Sequence, residues 1–374
     1  MSDRSGLRVA VDATPLLGPR TGVGGFTASL IDGLARRTDV EVVAFAVTWR
    51  GRAALGALAP AGVSLARRPM AARPLRELWT RSDRPPIEWW TGPVDVVHGT
   101  NFVVPPGRRA AEVVTVHDLT AVRFPELCTA DTLRWPALVR RALDRGAHVH
   151  TVSGFVAAEV VEHFAVDPAR VRVVPNGVGP VGAGDAARGR RLAGAERYVL
   201  ALGTVEPRKG LPDLVRAFDA EVASGSSGVD LVLAGPDGWG SAALDAALAG
   251  LRSGPRIRRL GWVRAEERAH LLAGAAVFAF PSVYEGFGLP PLEAMAAGVP
   301  VVAAAAGAIP EILGDAAVLV TPGDTVALGA ALRSVLDDGA RADDLRARGR
   351  ARVGRYRWAR TVEGLVELYR DVAG

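Results

Sequence analysis

Apolar and polar positions along this chain alternate between two patterns. Short continuous apolar runs, the mark of strands buried on both faces, occur at residues 7–11, 40–46, 94–98, 113–117, 148–152 and 171–174. Between them, residues 26–37, 132–145 and 155–164 carry helical periodicity. The alternation lapses after Asn176-Gly177 into a loose Gly- and Ala-rich stretch, 179–189, and then restarts. Residues 198–203, 231–235, 258–260, 277–280, 299–303 and 317–320 read as strands, with helices between them that include 211–218. Strand alternating with helix predicts a parallel, doubly wound sheet, and the lapse predicts a linker. The expectation is therefore an α/β chain of two Rossmann-like domains, 1–180 and 181–355, facing a cleft. A final segment, 356–374, carries a helix at 361–372 that is expected to pack back across the first domain.

The length of 374 residues agrees with two domains of ordinary size, and a 49% hydrophobic content supplies their cores. Cys128 is the only cysteine, which excludes a disulfide framework and a cysteine-based metal site. The first 17 residues lack the apolar run of a signal peptide, and no run of about 18 apolar residues occurs, so a cytoplasmic protein is expected. The net charge of +5 is uneven: residues 1–180 hold 22 Arg against 17 acids, whereas the remainder holds 23 basic and 23 acidic residues. Within the first half, Arg50, Arg52, Arg67, Arg68, Arg73, Arg76, Arg81 and Arg84 interleave with Trp49, Leu78, Trp79, Trp89 and Trp90. That mixture suits a peripheral contact with the inner membrane face or a pocket for an anionic acceptor. Plain codon bias toward Arg accounts for it somewhat better than a membrane contact does, since Lys209 is the single lysine. A lysine retained in such a chain points to a need for a compact ammonium charge.

Candidate chemistry concentrates between Phe280 and Val302. An apolar strand runs into a turn containing Glu285, Gly286, Phe287 and Gly288, and Leu289 and Pro290 lead to a helix with Pro291 at its first position and Glu293 in its first turn. Gly286 and Gly288 let backbone approach a ligand, and free amides at a helix start favour phosphate. Two carboxylates beside an anion site make sense if they grip neutral hydroxyls, which suggests a nucleotide sugar. Alone, either acid has an ordinary explanation: Glu293 improves the helix dipole by about 0.3–1 kcal/mol, and Glu285 is a solvated loop residue. Together in a strand–loop–helix frame they favour a site.

Other strand ends add candidates. Arg208 and Lys209 follow the strand at 198–203 and are placed to neutralise a diphosphate leaving group; a solvated pair is the alternative. Gly235 and the segment 260–263 end further strands and are placed to wall a base. His117 and Asp118 close the strand at 113–117, where open α/β sheets bind ligands, with a buried, backbone-satisfied histidine as the alternative for His117. His98 reads as structural. The loop Thr21-Gly22-Val23-Gly24-Gly25-Phe26-Thr27 resembles half of a dinucleotide fingerprint, but Gly22 lies ten positions after Asp12 and the third glycine falls on Thr27. It is read as a mobile loop at the cleft mouth. The chain has no Asp-x-Asp and no His or Cys cluster with metal spacing, so no metal or other cofactor is expected.

The run Tyr284-Glu285-Gly286-Phe287-Gly288-Leu289-Pro290-Pro291-Leu292-Glu293-Ala294-Met295 resembles the E-x7-E signature of retaining family 4 glycosyltransferases. Val116-His117-Asp118-Leu119, Val174-Pro175-Asn176-Gly177, Glu206-Pro207-Arg208-Lys209 and Ile309-Pro310-Glu311 follow in the family's order. The resemblance covers nearly the whole chain and implies the GT-B fold and transfer of a hexosyl group from a nucleoside diphosphate sugar. It implies that Glu285 and the amides of Gly286, Phe287 and Gly288 hold the donor sugar and that Glu293 holds the ribose. Arg208 and Lys209 would clamp the diphosphate, His117 would touch the donor sugar, and Gly22–Gly25 would lie near the acceptor. Many members carry Gly-Arg where this chain has Gly203-Thr204, so Arg208 substitutes for that arginine, as in a subgroup similar to mannosyl- and rhamnosyl-type enzymes. A GDP-sugar donor and an acceptor hydroxyl on a lipid-linked glycan, polysaccharide or small natural product are expected, and no nucleic acid. An inverting transferase, a sugar-nucleotide epimerase and a non-catalytic nucleotide-sugar-binding protein remain as alternatives.

Overall fold

The computed structural model describes residues 6–18, 22–49, 51–179, 182–222, 228–251 and 254–374. Thr21, Arg50, Pro180, Val181, the first five residues and the Arg52 side chain lie outside the described residues. The chain forms two units, Met1–Gly177 with Arg357–Gly374, and Val178–Tyr356.

The first unit carries strands β1 (Leu7–Asp12), β2 (Val40–Phe45), β3 (Ser64–Leu65), β4 (Val96–Gly99), β5 (Ala111–Val116), β6 (His148–Thr151) and β7 (Val171–Val173). They form one sheet in the order β3-β2-β1-β4-β5-β6-β7. The second unit carries β8 (Tyr198–Leu202), β9 (Asp230–Ala234), β10 (Ile257–Gly261), β11 (Val277–Phe280), β12 (Val301–Ala304) and β13 (Ala317–Val320), in the order β10-β9-β8-β11-β12-β13. The pairings are parallel throughout. Continuous apolar runs were needed because both faces are covered. In β1, Val9 and Val11 enter one core while Ala10 enters the other, and Val96 and Val97 divide the same way in β4. The period of two thus distributes one strand between two layers.

Within the stretch read as a loose linker, Asp185 caps a helix, Ala186–Ala193, and three further elements depart from the sequence expectation. The first helix spans Gly22–Ala35, so Gly22, Val23, Gly24 and Gly25 form its opening turn rather than a mobile loop. Helical glycine costs about 1 kcal/mol each. Burial of Phe26, Leu30, Ile31 and Leu34 on one face offsets that cost, and the Thr27 hydroxyl donates to the Val23 carbonyl at 3.0 Å. The helix expected from Pro291 begins at Leu289, placing both prolines in the first turn, where their missing N–H groups have no intrahelical partner to lose. The two-residue edge strand β3 is too short to show in a periodicity.

The helix Trp358–Ala373 belongs to the first unit and packs on Gly22–Ala35. Gly33 allows this contact, because a Cβ there would lie 2.4 Å from Val362 Cγ2. Its Tyr369 also anchors a buried chain of polar groups. His150 Nε2 lies 2.9 Å from the Val174 carbonyl, which only accepts, so Nε2 carries the proton and Nδ1 accepts from the Thr115 hydroxyl at 2.9 Å. Thr115 then accepts from His98 Nε2 at 2.7 Å, and His98 Nδ1 accepts from the Tyr369 hydroxyl at 2.6 Å. Burial holds both imidazoles neutral, with His150 pushed down to about 4 and His98 well below its usual range.

In each sheet the strand order reverses once, between β1 and β4 and between β8 and β11. Ligands of open parallel sheets bind outside the carboxyl ends at such reversals. Among the described residues no helix is long and apolar enough to cross a membrane.

Candidate functional site

At the reversal in the second unit, two segments remote in sequence are knitted together. After β8, Pro207–Lys209 makes a single 3-10 turn ended by Gly210 at φ +62. A Cβ on Gly210 would lie 2.3 Å from the Pro281 carbonyl, so the turn can sit directly against the end of β11. The Val283 amide donates to the Arg208 carbonyl at 2.8 Å, and the Ala308 amide donates to the Glu285 carbonyl at 2.9 Å. Glu285 is thereby fixed with its carboxylate buried, where Oε1 accepts from Lys209 Nζ at 2.5 Å and from Arg208 Nη1 at 3.0 Å. Arg208 also donates through Nε to Glu206 at 3.0 Å, and Lys209 Nζ lies 5.2 Å from the Phe280 ring centroid. Burial works against the Glu285 charge, but Lys209 and Arg208 outweigh it and hold the carboxyl below its ordinary range. The sequence placed acid and cations as independent groups; the fold makes them one cluster.

The loop continues through buried Gly286 and Phe287, whose ring meets Tyr356 edge-on at 5.6 Å. Only Gly288 of the two glycines adopts a left-handed φ, +98, and a Cβ there would meet Ile309 at 2.6 Å. Glu293 then projects from the helix Leu289–Ala296 and is ion-paired with Arg268 of the helix Ala265–Gly274. Burial raises the Glu293 carboxyl in spite of that arginine. The pair lines a cavity of about 210 Å³ with Gly179 and Gly182. Gly235 presents no free amide, since its N–H donates to the Gly261 carbonyl at 2.8 Å. Its φ of +152 and a Cβ position 1.9 Å from the Gly203 carbonyl show instead that adjacent strand ends approach too closely for a side chain.

In the first unit, His117 follows β5 half-buried, its Nε2 2.9 Å from the Thr100 carbonyl. A carbonyl only accepts, so Nε2 donates and Nδ1 is left as the acceptor of the neutral ring; burial lowers its pKa and keeps it neutral. Phe26 packs edge-on against it at 5.2 Å. Phe26, the residue after the Gly22–Gly25 turn, is thereby held next to His117, a proximity set by the helix register. Asp118 caps the following turn by accepting from the Thr120 amide at 2.9 Å.

Sequence reasoning passed over Asp12, Glu206 and Arg268. Asp12 ends β1, is buried, and accepts from the Thr14 hydroxyl and amide at 2.5 and 2.8 Å. Burial raises it to about 6, with Thr14 and the charge of Arg76 opposing the rise. Its position at a strand end was a usable signal. Arg268 gave none, because it lies on a helix 25 residues before its partner. Among the described residues no group of three or more His, Cys, Asp or Glu is placed to hold a metal ion.

Comparisons with known proteins bear on the family and the fold. The glycosyl transferases group 1 family matches residues 196–338, and Glycosyltransferase Family 4 matches residues 20–180. O-antigen chain mannosyltransferase B of Escherichia coli is 32% identical over 286 residues, 74% of either chain. The MMP alpha-(1->4)-mannosyltransferase of Mycolicibacterium hassiacum is 32% identical over 300 residues, covering 74% of this chain and 71% of its own. Among solved structures, sucrose-phosphate synthase from Thermosynechococcus elongatus superposes with a TM-score of 0.74 at 21% identity, covering 98% of both chains. Anabaena HepE in complex with UDP-glucose gives 0.73 at 18% identity, covering 98% of this chain and 100% of its own. With two doubly wound sheets, family matches over both halves and relatives matched over 71–74% of their length, the chain belongs to the family 4 glycosyltransferases and has their GT-B fold.

Proposed function

We propose that this glycosyltransferase moves a mannosyl or related hexosyl group from a GDP-sugar to an acceptor hydroxyl, with retention at the anomeric carbon and without a metal. The observation that carries the reading is the buried cluster of Glu285, Arg208 and Lys209 at the reversal between β8 and β11. Two cations beside the start of a helix match the charge of a departing nucleoside diphosphate. The bond from the anomeric carbon to the diphosphate oxygen breaks as the acceptor oxygen attacks the same face, and the leaving phosphate takes the hydroxyl proton. Glu285 acts as a positioner: as phosphate draws Lys209 and Arg208, its oxygens accept from sugar hydroxyls. Glu293 accepts from the ribose diol.

The mannosyltransferase names of two relatives favour the sugar. The UDP-glucose in the HepE structure makes a UDP-sugar the natural comparison ligand. A thermal-shift panel of nucleotides and nucleotide sugars, followed by NMR of the product, tests the reading. GDP-mannose is expected to give the largest shift, the product to keep the donor's anomeric configuration, and turnover to persist in chelator. Lys209→Ala is expected to lower kcat about 10²–10³-fold. Near-normal turnover in that variant, or an inverted product, refutes it.

A further inference from the structure

The first unit holds a second cavity, of about 470 Å³, bounded in part by Trp89, Pro86, Glu88, Asp95, Arg108 and Arg109. Asp95 precedes β4, and Arg108 and Arg109 lie just before β5, so the cavity opens at the amino ends of these strands. His117 follows the opposite end of β5, whose six residues span roughly 20 Å. The cavity is therefore separate from any chemistry at the carboxyl ends.

Its walls are built rather than incidental. Glu88 accepts from the amides of Arg108, Arg109 and Ala110 at 2.8–3.2 Å, which fixes the turn carrying both arginines. Of the two neighbouring indoles, Trp90 is anchored by donation to the Pro69 carbonyl at 3.1 Å. Trp89 is instead 63% exposed, with its backbone carbonyl held by Arg68 at 3.0 Å. Among the described residues Arg108 and Arg109 have no ion pair, and the Asp95 carboxylate accepts only through Oδ2, from the Arg8 amide. The cavity thus offers an aromatic face, two guanidinium donors and one open carboxylate oxygen, and the two acids cancel the two arginines.

We infer that this cavity is a non-catalytic binding site for a neutral glycan, with a sugar ring stacked on Trp89 and its hydroxyls shared between Asp95 and the two arginines. A sugar's C–H face covers the indole, and its hydroxyls both donate and accept, which matches this lining. An anionic lipid or phosphate would meet two carboxylates. The cavity volume lies in the range of small-molecule sites. The choice of a glycan rests on the family assignment; the occupancy of the donor site is a separate question.

The test titrates the full chain with mannotetraose and with maltotetraose, read by tryptophan emission and saturation-transfer NMR. Vesicles of phosphatidylglycerol form a second arm, and nucleotide thermal shifts are recorded on every variant. Binding of at least one tetrasaccharide is expected, weakened about tenfold or more in Trp89→Ala and in Arg109→Ala, and partly restored in Trp89→Phe. Nucleotide shifts are expected to match the parent protein in all three variants, which separates this site from the donor site. Three results overturn the inference: no saccharide binding up to millimolar concentrations, equal binding by Trp89→Ala, or Trp89-dependent binding to vesicles without saccharide binding.

Discussion

Replacing Glu285 by Gln removes one negative charge from a buried cluster while keeping its shape. Lys209 then faces a neutral amide, whereas Arg208 keeps Glu206 at 3.0 Å. The side chains of Glu285, Lys209 and Arg208 are 11, 14 and 21% exposed, so little solvent is present to take over the lost partner. Breaking one side of a buried pair costs about 3–5 kcal/mol, and the remaining access to water argues for the lower end, about 3. At roughly 2–4 °C per kcal/mol for a unit of this size, Tm should fall by about 6–12 °C. Scanning calorimetry of the full chain reads this directly. The pH dependence follows from the lowered Glu285 pKa. A depressed carboxyl contributes fully above the unfolded value of 4.5, and its contribution is lost as pH falls through the folded value. The gap between parent and variant should therefore be flat at neutral pH and close in acid. Removing Lys209 as well, in Glu285→Gln with Lys209→Met, should cost less than the sum of the single changes, because no stranded charge remains. Equal melting of parent and Glu285→Gln at neutral pH, or a gap that widens in acid, refutes the reasoning.

Thr115→Val takes away an acceptor from His98 and a donor from His150 inside a buried chain, at a cost of about 2–4 kcal/mol. Hydrogen exchange should accelerate in the helix Trp358–Ala373, which Tyr369 ties to that chain. In the parent protein, His98 and His150 have depressed pKa values, so unfolding takes up protons below about 6.5. Stability of the first unit should accordingly fall as pH drops from there toward 4, as followed by acid titration of Tm. Gly235→Ala puts a Cβ 1.9 Å from the Gly203 carbonyl at a φ of +152, and should cost about 2–4 kcal/mol and weaken nucleotide thermal shifts.

The strands were legible because parallel strands covered on both faces must be apolar throughout, and such runs are short and bounded. Residues 277–280 and 317–320 were read at their observed limits, and the other major strands within about two residues. The opening turn of the first helix was not legible: glycine pairs read as loop locally, and only Phe26, Leu30 and Ile31 docking into a core makes helix the better state. Gly235 shows a similar limit. Its residue type marked a special backbone, but whether that served a ligand or a neighbouring strand depended on Gly203.

What the sequence by itself determined was the alternation of strand and helix and the run around Glu285 and Glu293 that carries the family. Each of these is written in residues adjacent along the chain. Tertiary structure alone decided that Glu285 lies against Lys209 and Arg208, 76 and 77 residues away, and that Glu293 meets Arg268. It alone brought His98, Thr115, His150 and Tyr369 into one proton-ordered chain. The physical reason is that local periodicity reports which face of an element is buried. Which charges share a burial site is set by strand order, and strand order has no local signature.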